Sequence, residues 1–180
     1  MTERDILIWP DPRLKQVSAP VAEFGPELAA LVDDMLETMY ESDGIGLAAP
    51  QIGVFQRVLV IDIFAGRDER PEDEPPLVVI NPEFVEKSGD IVWEEGCLSV
   101  PGETGDVKRS RHVRVRYQDL SGELREIEAD ELLAVALQHE SDHLDGVLFV
   151  DHISKLKRDV IRRKMTRLKQ ELEQEQAASG

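Results

Sequence analysis

Cysteine is nearly absent from the sequence, which has 180 residues and a single cysteine, Cys97. One cysteine excludes a disulfide within the chain. This scarcity is typical of proteins that work in a reducing compartment. A lone cysteine is most often a small, buried apolar side chain, so any chemical role for Cys97 must be argued against that ordinary interpretation.

Long hydrophobic runs are also missing. The β-branched and apolar runs are short, such as residues 58–61 and 77–80, whereas a membrane-spanning helix needs roughly 20 apolar residues. Residues 1–5 contain no basic segment followed by an apolar one, so no secretory signal is predicted. The length suits one compact domain, and we expect a cytoplasmic protein with a single domain over residues 1–180.

Positive charge is scarce, because 21 Lys and Arg stand against 37 Asp and Glu, giving a net charge of −16. Such a chain should repel nucleic acid over most of its surface. Residues 155–169 are the exception, with eight cations and one anion, Asp159. This segment is either a solvated amphipathic helix or a helix that docks on RNA. Its predicted apolar stripe consists of Leu156, Val160, Met165, Leu168 and Leu172.

The apolar pattern predicts an α+β fold. Gly25-Pro26 and the periodic apolar positions that follow predict a first helix up to about residue 39. Further helices are predicted at 130–144 and 153–175. Strands are predicted at residues 57–63, 77–80, 91–93, 112–117 and 124–128. Because strands and helices do not alternate as βαβ units, we expect small antiparallel or mixed sheets around the helix at 130–144.

Two of the four histidines, His139 and His143, lie four residues apart on that central helix. Side chains at this spacing project from one face, so both imidazoles can bind one metal ion. Glu140 follows the first histidine, as in metallohydrolases whose glutamate is the general base. A solvated surface with two chance histidines is the alternative, but the apolar residues 132–137 indicate a buried helix. The motif predicts a metal-dependent hydrolase.

The third metal ligand decides the class of enzyme, because a catalytic metal usually has three protein ligands. Metzincin proteases have a third histidine where this chain has Phe149. Thermolysin-like proteases use a downstream glutamate, and the downstream acids here are Asp151, Asp159, Glu171, Glu173 and Glu175. Asp159 lies in the basic segment and the three glutamates lie near a polar end, and none of the five acids is a convincing ligand. Cys97 is the better candidate, because a thiolate is a good ligand and Gly96 permits an unusual backbone shape.

Three segments together resemble the signature motifs of the bacterial peptide deformylases. They are Gly-Ile-Gly-Leu-Ala-Ala-Pro-Gln at 44–51, Glu-Gly-Cys-Leu-Ser at 95–99 and His-Glu-Ser-Asp-His at 139–143. Residues 6–14 are also similar to that family, and the resemblance covers nearly the whole chain. Two features depart from it. Ser141 stands where the family usually has an apolar residue, and the loop 102–106 lacks an arginine that some relatives carry.

The resemblance implies removal of the N-formyl group from the N-terminal methionine of newly made polypeptides, with release of formate. Glu140 would transfer a proton from the attacking water to the leaving amine. The oxyanion would receive hydrogen bonds from the Gln51 amide and the backbone N–H of Leu98. The implied ligands of one divalent ion are Cys97, His139 and His143. Fe(II) is expected in the cell, and Zn, Ni or Co also suit these ligands.

The implied substrate contacts lie in the first motif and around the central helix. The backbone of Gly46 would pair with the extended peptide. The methionine pocket would be formed by Ile45, Trp93, Leu132 and Val135, although ordinary core packing also explains these four. Asp142 is predicted to order the site through Arg109. The implied enzyme is a monomer with no membrane partner, whose basic helix docks on the ribosome.

Two alternatives stay open at this point. A metalloprotease could use the same helix with a different third ligand. A non-catalytic, metal-stabilised or RNA-binding module is the second, but a structural metal site normally has four protein ligands and would leave Glu140 without a purpose.

Overall fold

The computed structural model describes residues 2–180 and leaves Met1 outside. The helices of the described chain are α1 (Pro26–Glu41), α2 (Glu131–Leu144) and α3 (Lys155–Ser179). Its strands are β1 (Gly46–Ala48), β2 (Val58–Ile61), β3 (Leu77–Ser88), β4 (Ile91–Cys97), β5 (Val100–Arg109), β6 (His112–Gln118) and β7 (Leu124–Asp130). The predicted α+β class is confirmed. No helix in residues 2–180 has the length and apolar character required to cross a bilayer.

The strands form two antiparallel sheets, and the larger one lies between helices. Its five strands have the order β1-β2-β3-β6-β7, while β4 and β5 form a separate ribbon. Val58 and Val60 of β2 pack with α1 on one face, and Leu59 and Ile61 pack with α2 on the other. Because both faces are covered, β2 is a continuous apolar run rather than an alternating one. The predicted central position of α2 is therefore confirmed.

Strand β3 is longer than predicted, because it continues past Ile80 to Ser88. Asn81 adopts a φ of 52°, and the register with β6 shifts between Ile80 and Glu83. The Asn81 side chain bonds to both backbone groups of Val21 and to Gln118. This bonding holds the irregularity in place, so the strand bends there without ending.

Strand β5 is missing from the sequence-based prediction, which treats residues 102–106 as a loop. The segment pairs with β4, opposing Ile91 to Arg109 and Gly96 to Thr104. Its proline, its two glycines and its exposed charges hide the alternation that identifies a strand. Gly105 is needed for packing, because a Cβ there would lie 3.0 Å from the Ile153 side chain.

Helix α3 docks on a small third core near the N-terminal segment. That core consists of Trp9, Leu14, Val100, Val107, Leu148, Phe149, Val150, Ile161 and Met165. The guanidinium of Arg162 lies over the Trp9 ring, 5.0 Å from its centroid. The predicted apolar stripe is wrong at Leu156, Val160 and Leu172, which are 74%, 40% and 39% exposed. The helix begins after Ser154 rather than at 153, because the Ser154 hydroxyl caps it by accepting the Lys157 N–H.

Asp11 joins this N-terminal segment to α3 and should make stability depend on pH. Its carboxylate accepts hydrogen bonds from the Arg13 side chain and backbone, and Lys169 Nζ lies 3.4 Å away. These bonds, the Arg13 side chain foremost, lower the pKa of Asp11 to about 2. Because this pKa lies below the unfolded value, the stabilisation is complete above about pH 4 and is lost as the pH falls towards 2.

Asp11→Asn is expected to lower the free energy of unfolding by at most about 1 kcal/mol at pH 7, because asparagine keeps the cap on the Arg13 N–H and solvent screens the lost ion pair with the exposed Arg13. The difference from wild type should shrink as the pH falls from 4 to 2. Urea unfolding across that range measures it, with Asp68→Asn in the exposed loop as the control. A difference that is constant with pH contradicts this assignment.

Candidate metal centre

Helix α2 and the end of β4 bring three metal-binding side chains together. The His139 and His143 rings lie one turn apart on α2, with 5.1 Å between their centroids. Cys97 ends β4, and its Sγ lies 3.4 Å from His143 Nε2. One ligand atom from each residue lies within 4.8 Å of the other two. The sequence-predicted ligands are thus adjacent, although Cys97 is 42 residues away from His139 in the chain.

Glu95 orients the first histidine. His139 Nδ1 lies 2.8 Å from Glu95 Oε1, so the N–H donated there leaves Nε2 free for a ligand. Arg109 donates to both oxygens of Glu95, at 2.8 and 2.9 Å. Burial alone would raise the pKa of Glu95, but the hydrogen bonds from Arg109 and His139 hold it below its usual value. A carboxylate behind a metal-binding histidine fixes its tautomer and its ring orientation.

The predicted contact between Arg109 and Asp142 is present, at 2.6 Å. The Arg109 side chain is only 5% exposed, and the two carboxylates of Glu95 and Asp142 neutralise its charge. His152 joins the same group, with Nε2 2.9 Å from Asp142. These contacts tie β4, β5 and α2 together behind the metal ligands. Glu95 could have been proposed from its place in the cysteine motif, whereas no sequence signal indicated His152.

The donor set suits a divalent metal ion. One thiolate and two imidazoles are typical ligands of Zn, Fe, Ni and Co. Burial is the main cause that holds the pKa of His143 well below its usual value. The ring is therefore neutral, as ligation requires. Cys97 packs against the apolar core, but its Sγ also lies 3.4 Å from His143 Nε2 and within 4.8 Å of the His139 ligand atom, as a metal ligand would.

Glu140 lies beside the ligand atoms, with Oε1 3.9 Å from His139 Nε2. The residue is 6% exposed, and its Oε2 has no hydrogen-bond partner among residues 2–180. Burial is the main cause that raises the pKa of Glu140 to about 7. A carboxyl group with a free oxygen and a pKa near neutrality is suited to accept and release a proton.

Gln51 is held rigidly at the edge of this cluster. Its Oε1 accepts the Ala48 N–H at 2.9 Å. Its amide nitrogen donates to Ser99 Oγ at 3.0 Å and faces Cys97 Sγ at 3.5 Å. Ser99 was absent from the predicted site, although it belongs to the cysteine motif. Leu98, between Cys97 and Ser99, packs closely on Gly44.

A groove of about 840 Å³ opens beside the cluster. It is lined by all of the predicted substrate residues, namely Ile45, Gly46, Trp93, Leu132 and Val135. Ile6 and Ile8 of the N-terminal segment also line the groove, which the sequence motifs did not predict.

Phe149, at the position of a metzincin histidine, stacks on His139 with 6.4 Å between ring centroids. It therefore supports a ligand instead of being one.

The model of the polypeptide deformylase family matches residues 3–159 of this sequence. The chain belongs to the polypeptide deformylase family. It is therefore a hydrolase that removes a formyl group from polypeptides, and the dependence of the family on a metal agrees with the Cys-His-His cluster.

Relatives in the family are similar over nearly their whole length. The peptide deformylase of Alkalilimnicola ehrlichii is 53% identical over 164 residues, covering 91% of this chain and 89% of that one. The enzyme of Bartonella tribocorum is 48% identical over 178 residues, covering 98% and 99%. The crystal structure of a peptide deformylase from Legionella pneumophila is 46% identical, with a TM-score of 0.86 and coverage of 94% and 96%.

Gly46 approaches Glu140 too closely to tolerate a side chain. A Cβ at Gly46 would lie 2.6 Å from Glu140 Oε1 and 3.0 Å from its Cδ. Because Glu140 is buried, Gly46→Ala should displace this carboxylate and lower the kcat for deformylation by about 100-fold. Formate release measures the effect. Gly25→Ala is the control, because a Cβ there meets nothing within 4 Å. An unchanged kcat in Gly46→Ala would contradict the need for this close approach.

Proposed function

We propose that this deformylase acts on N-formylmethionyl nascent polypeptides, with one divalent metal ion held by Cys97, His139 and His143. The observation that carries the proposal is the closeness of the three ligand atoms, within 4.8 Å, next to a buried Glu140. A metal ion bound there supplies a Lewis acid that lowers the pKa of water. Fe(II) is the proposed ion in the cell, and Zn, Ni and Co suit the same ligands.

Glu140 is proposed as the group that moves the proton. Its carboxylate accepts the proton of the attacking water, whose oxygen adds to the formyl carbon. The carbon–nitrogen bond then breaks, and Glu140 delivers the proton to the amine nitrogen. The products are formate and a free N-terminus. The unpartnered Oε2 of Glu140 and its raised pKa support this role.

Gln51 and Leu98 are proposed to stabilise the oxyanion. The Gln51 amide is held by Ala48 and Ser99, and its second N–H, which faces Cys97 Sγ at 3.5 Å, is the one proposed to donate to the oxyanion. The backbone N–H of Leu98 is the second proposed donor, directly after the metal-binding Cys97. Fixed donors of this kind act best in a site shielded from water, and Gln51 is 1% exposed.

The open edge of β1 is proposed to bind the peptide. Strand β1 ends the five-stranded sheet and, within residues 2–180, pairs only with β2, so Gly46 can pair with an extended chain on its other side. Ile45, Trp93, Leu132 and Val135 then form the pocket for the methionine side chain. Their position along one groove with the metal ligands supports this assignment.

The decisive experiment is an assay of formate release from formyl-Met-Ala-Ser by enzyme prepared without oxygen, with metal analysis of the same sample. We expect one formate per free amine, and about one metal ion per chain. Acetyl-Met-Ala-Ser is the control substrate. Cleavage of the peptide bonds, or no formate with Fe, Zn, Ni or Co, would refute the proposed reaction.

Helix α3 is proposed to dock the enzyme on ribosomal RNA. Leu156, Val160, Arg163 and Arg167 recur at steps of four, three and four, so they share one face. This face lies away from the buried Ile161 and Met165, and Arg167 is 82% exposed. A basic and partly apolar face on an otherwise acidic protein favours docking on RNA by this helix alone.

Reversing both arginines, in Arg163→Glu/Arg167→Glu, is expected to weaken ribosome binding roughly tenfold or more at 0.1 M salt. Hydrolysis of formyl-Met-Ala-Ser should be unchanged. Lys108→Glu/Arg111→Glu makes the same change of charge on the body and is the control. Ribosome co-sedimentation measures binding, and equal binding by the α3 variant and wild type would exclude this docking surface.

A monomer is the proposed working form, because every residue of the proposed site comes from one chain. The proposed place of action is the cytoplasm, where nascent chains become available to the enzyme.

A further inference from the structure

The segment that carries Ile45 and Gly46 is held by one backbone hydrogen bond to α1 and one to the residue after β2. At one end the Gly44 N–H donates to the Met39 carbonyl, in the last turns of α1, at 2.9 Å. At the other end the Ile45 carbonyl accepts the N–H of Asp62, just after β2, at 2.7 Å. The position of the groove edge therefore depends on how the end of α1 lies relative to the end of β2.

A side-chain hydrogen bond joins those same two ends. The Tyr40 hydroxyl, on the last turn of α1, donates to Asp62 Oδ2 at 2.6 Å. Burial and this bond to Asp62 raise the pKa of Tyr40 to about 12, against the opposing influence of Arg70. The hydroxyl thus stays protonated and remains a donor throughout the physiological range.

Three groups hold the Asp62 carboxylate in place. It is 3% exposed, and besides Tyr40 it accepts the Phe64 N–H on Oδ1 at 3.1 Å. Arg70, from the charged loop between β2 and β3, pairs with Oδ2 at 2.9 Å. A buried carboxylate with this many partners holds one rotamer and one place. Neither Tyr40 nor Asp62 lines the groove, so contact with substrate does not explain them.

We propose that the Tyr40–Asp62 bond, supported by Arg70, is a positioning device that holds the edge of β1 in register for the peptide. The inference rests on the proposed pairing of substrate with Gly46. Tyr40 and Asp62 act through Ile45 and not on the reacting atoms. They therefore set the affinity for extended substrates, while the metal ligands and Glu140 set the rate of the chemical step.

Tyr40→Phe tests this role, because it removes only one oxygen. The KM for formyl-Met-Ala-Ser should rise about 3- to 10-fold, as expected for weakened peptide pairing, with kcat within twofold of wild type. The rise should be smaller for formyl-methionine amide, which has fewer backbone groups to pair. Tyr117→Phe is the matched control, because Tyr117 is the other tyrosine, and burial rather than a hydrogen bond raises its pKa.

Hydrogen exchange provides a readout that does not depend on the metal or on turnover. The amide of Asp62 donates to Ile45, so its exchange should become several-fold faster in Tyr40→Phe but not in Tyr117→Phe. An unchanged KM together with an unchanged Asp62 exchange rate overturns the proposal. So does an equal loss of kcat on both substrates without a change in KM. If wild type released no formate, the proposed function would fail, whereas the exchange result would still decide the positioning role.

Discussion

Glu140→Gln is expected to lower the kcat for formyl-Met-Ala-Ser by about 10²- to 10⁴-fold, the usual contribution of a positioned general acid–base group. Glutamine has nearly the same shape, but its amide cannot accept the proton of water and return it to the amine. The backbone and the packing of α2 should be unaffected. Because Glu140 is not one of the three ligands, the metal content should stay at the wild-type level.

The two readouts together distinguish a catalytic role from a structural one. Formate release gives kcat, and metal analysis of the same sample gives occupancy. Glu128→Gln, an exposed position on β7, makes the same chemical change away from the site and should have wild-type activity. Full activity in Glu140→Gln would disprove the proposed proton transfer, whereas loss of metal would point to a ligand role for this carboxylate.

Cys97→Ala is expected to abolish stoichiometric metal binding and, with it, more than 99% of the activity. Two imidazoles alone give fewer ligands than a catalytic metal normally has. The variant should also unfold at a lower temperature than the metal-loaded wild type, because an ion that binds only the folded state stabilises it. Metal analysis after dialysis and a thermal unfolding scan measure both effects.

The same variant tests the metalloprotease alternative, in which another residue is the third ligand. Asp159→Asn is the informative control, because Asp159 is one of the downstream acids of that alternative and lies outside the Cys-His-His cluster. We expect Asp159→Asn to keep its metal and its activity. If Cys97→Ala keeps its metal instead, the third ligand lies elsewhere and the assignment of Cys97 is wrong.

The core of the site could be predicted because it depends on local spacing and side-chain chemistry. His139 and His143 need only a regular helix to share a face, and α2 is such a helix. Because Phe149 stands at the position of the third metzincin histidine and cannot bind a metal, Cys97 is the better candidate for the third ligand. The family resemblance added Gln51 and the groove residues, which spacing alone does not indicate.

The contact of Arg109 with Asp142 was predicted, but the supporting contacts of Glu95 could not be, because they depend on long-range pairing. Glu95 reaches His139 only when β4 lies beside α2, and Arg109 reaches Glu95 only because β5 pairs with β4. Since β5 has no clear alternating pattern, the sequence contains no local sign of this arrangement. The prediction of the apolar stripe on α3 is wrong for a similar reason. The side that docks is decided by Trp9 and its neighbours, not by the helix itself.

The packing of α3 on Trp9 has a consequence for how the molecule is made. Ile8, beside Trp9, lines the groove, while Ile161 and Met165 come from the other end of the chain. Until those late residues have been synthesised, the core around Trp9 is incomplete, and one wall of the groove lacks part of its support. Contacts of such large sequence separation form late and slowly. A chain still under synthesis that lacks the residues of α3 is therefore an incomplete enzyme.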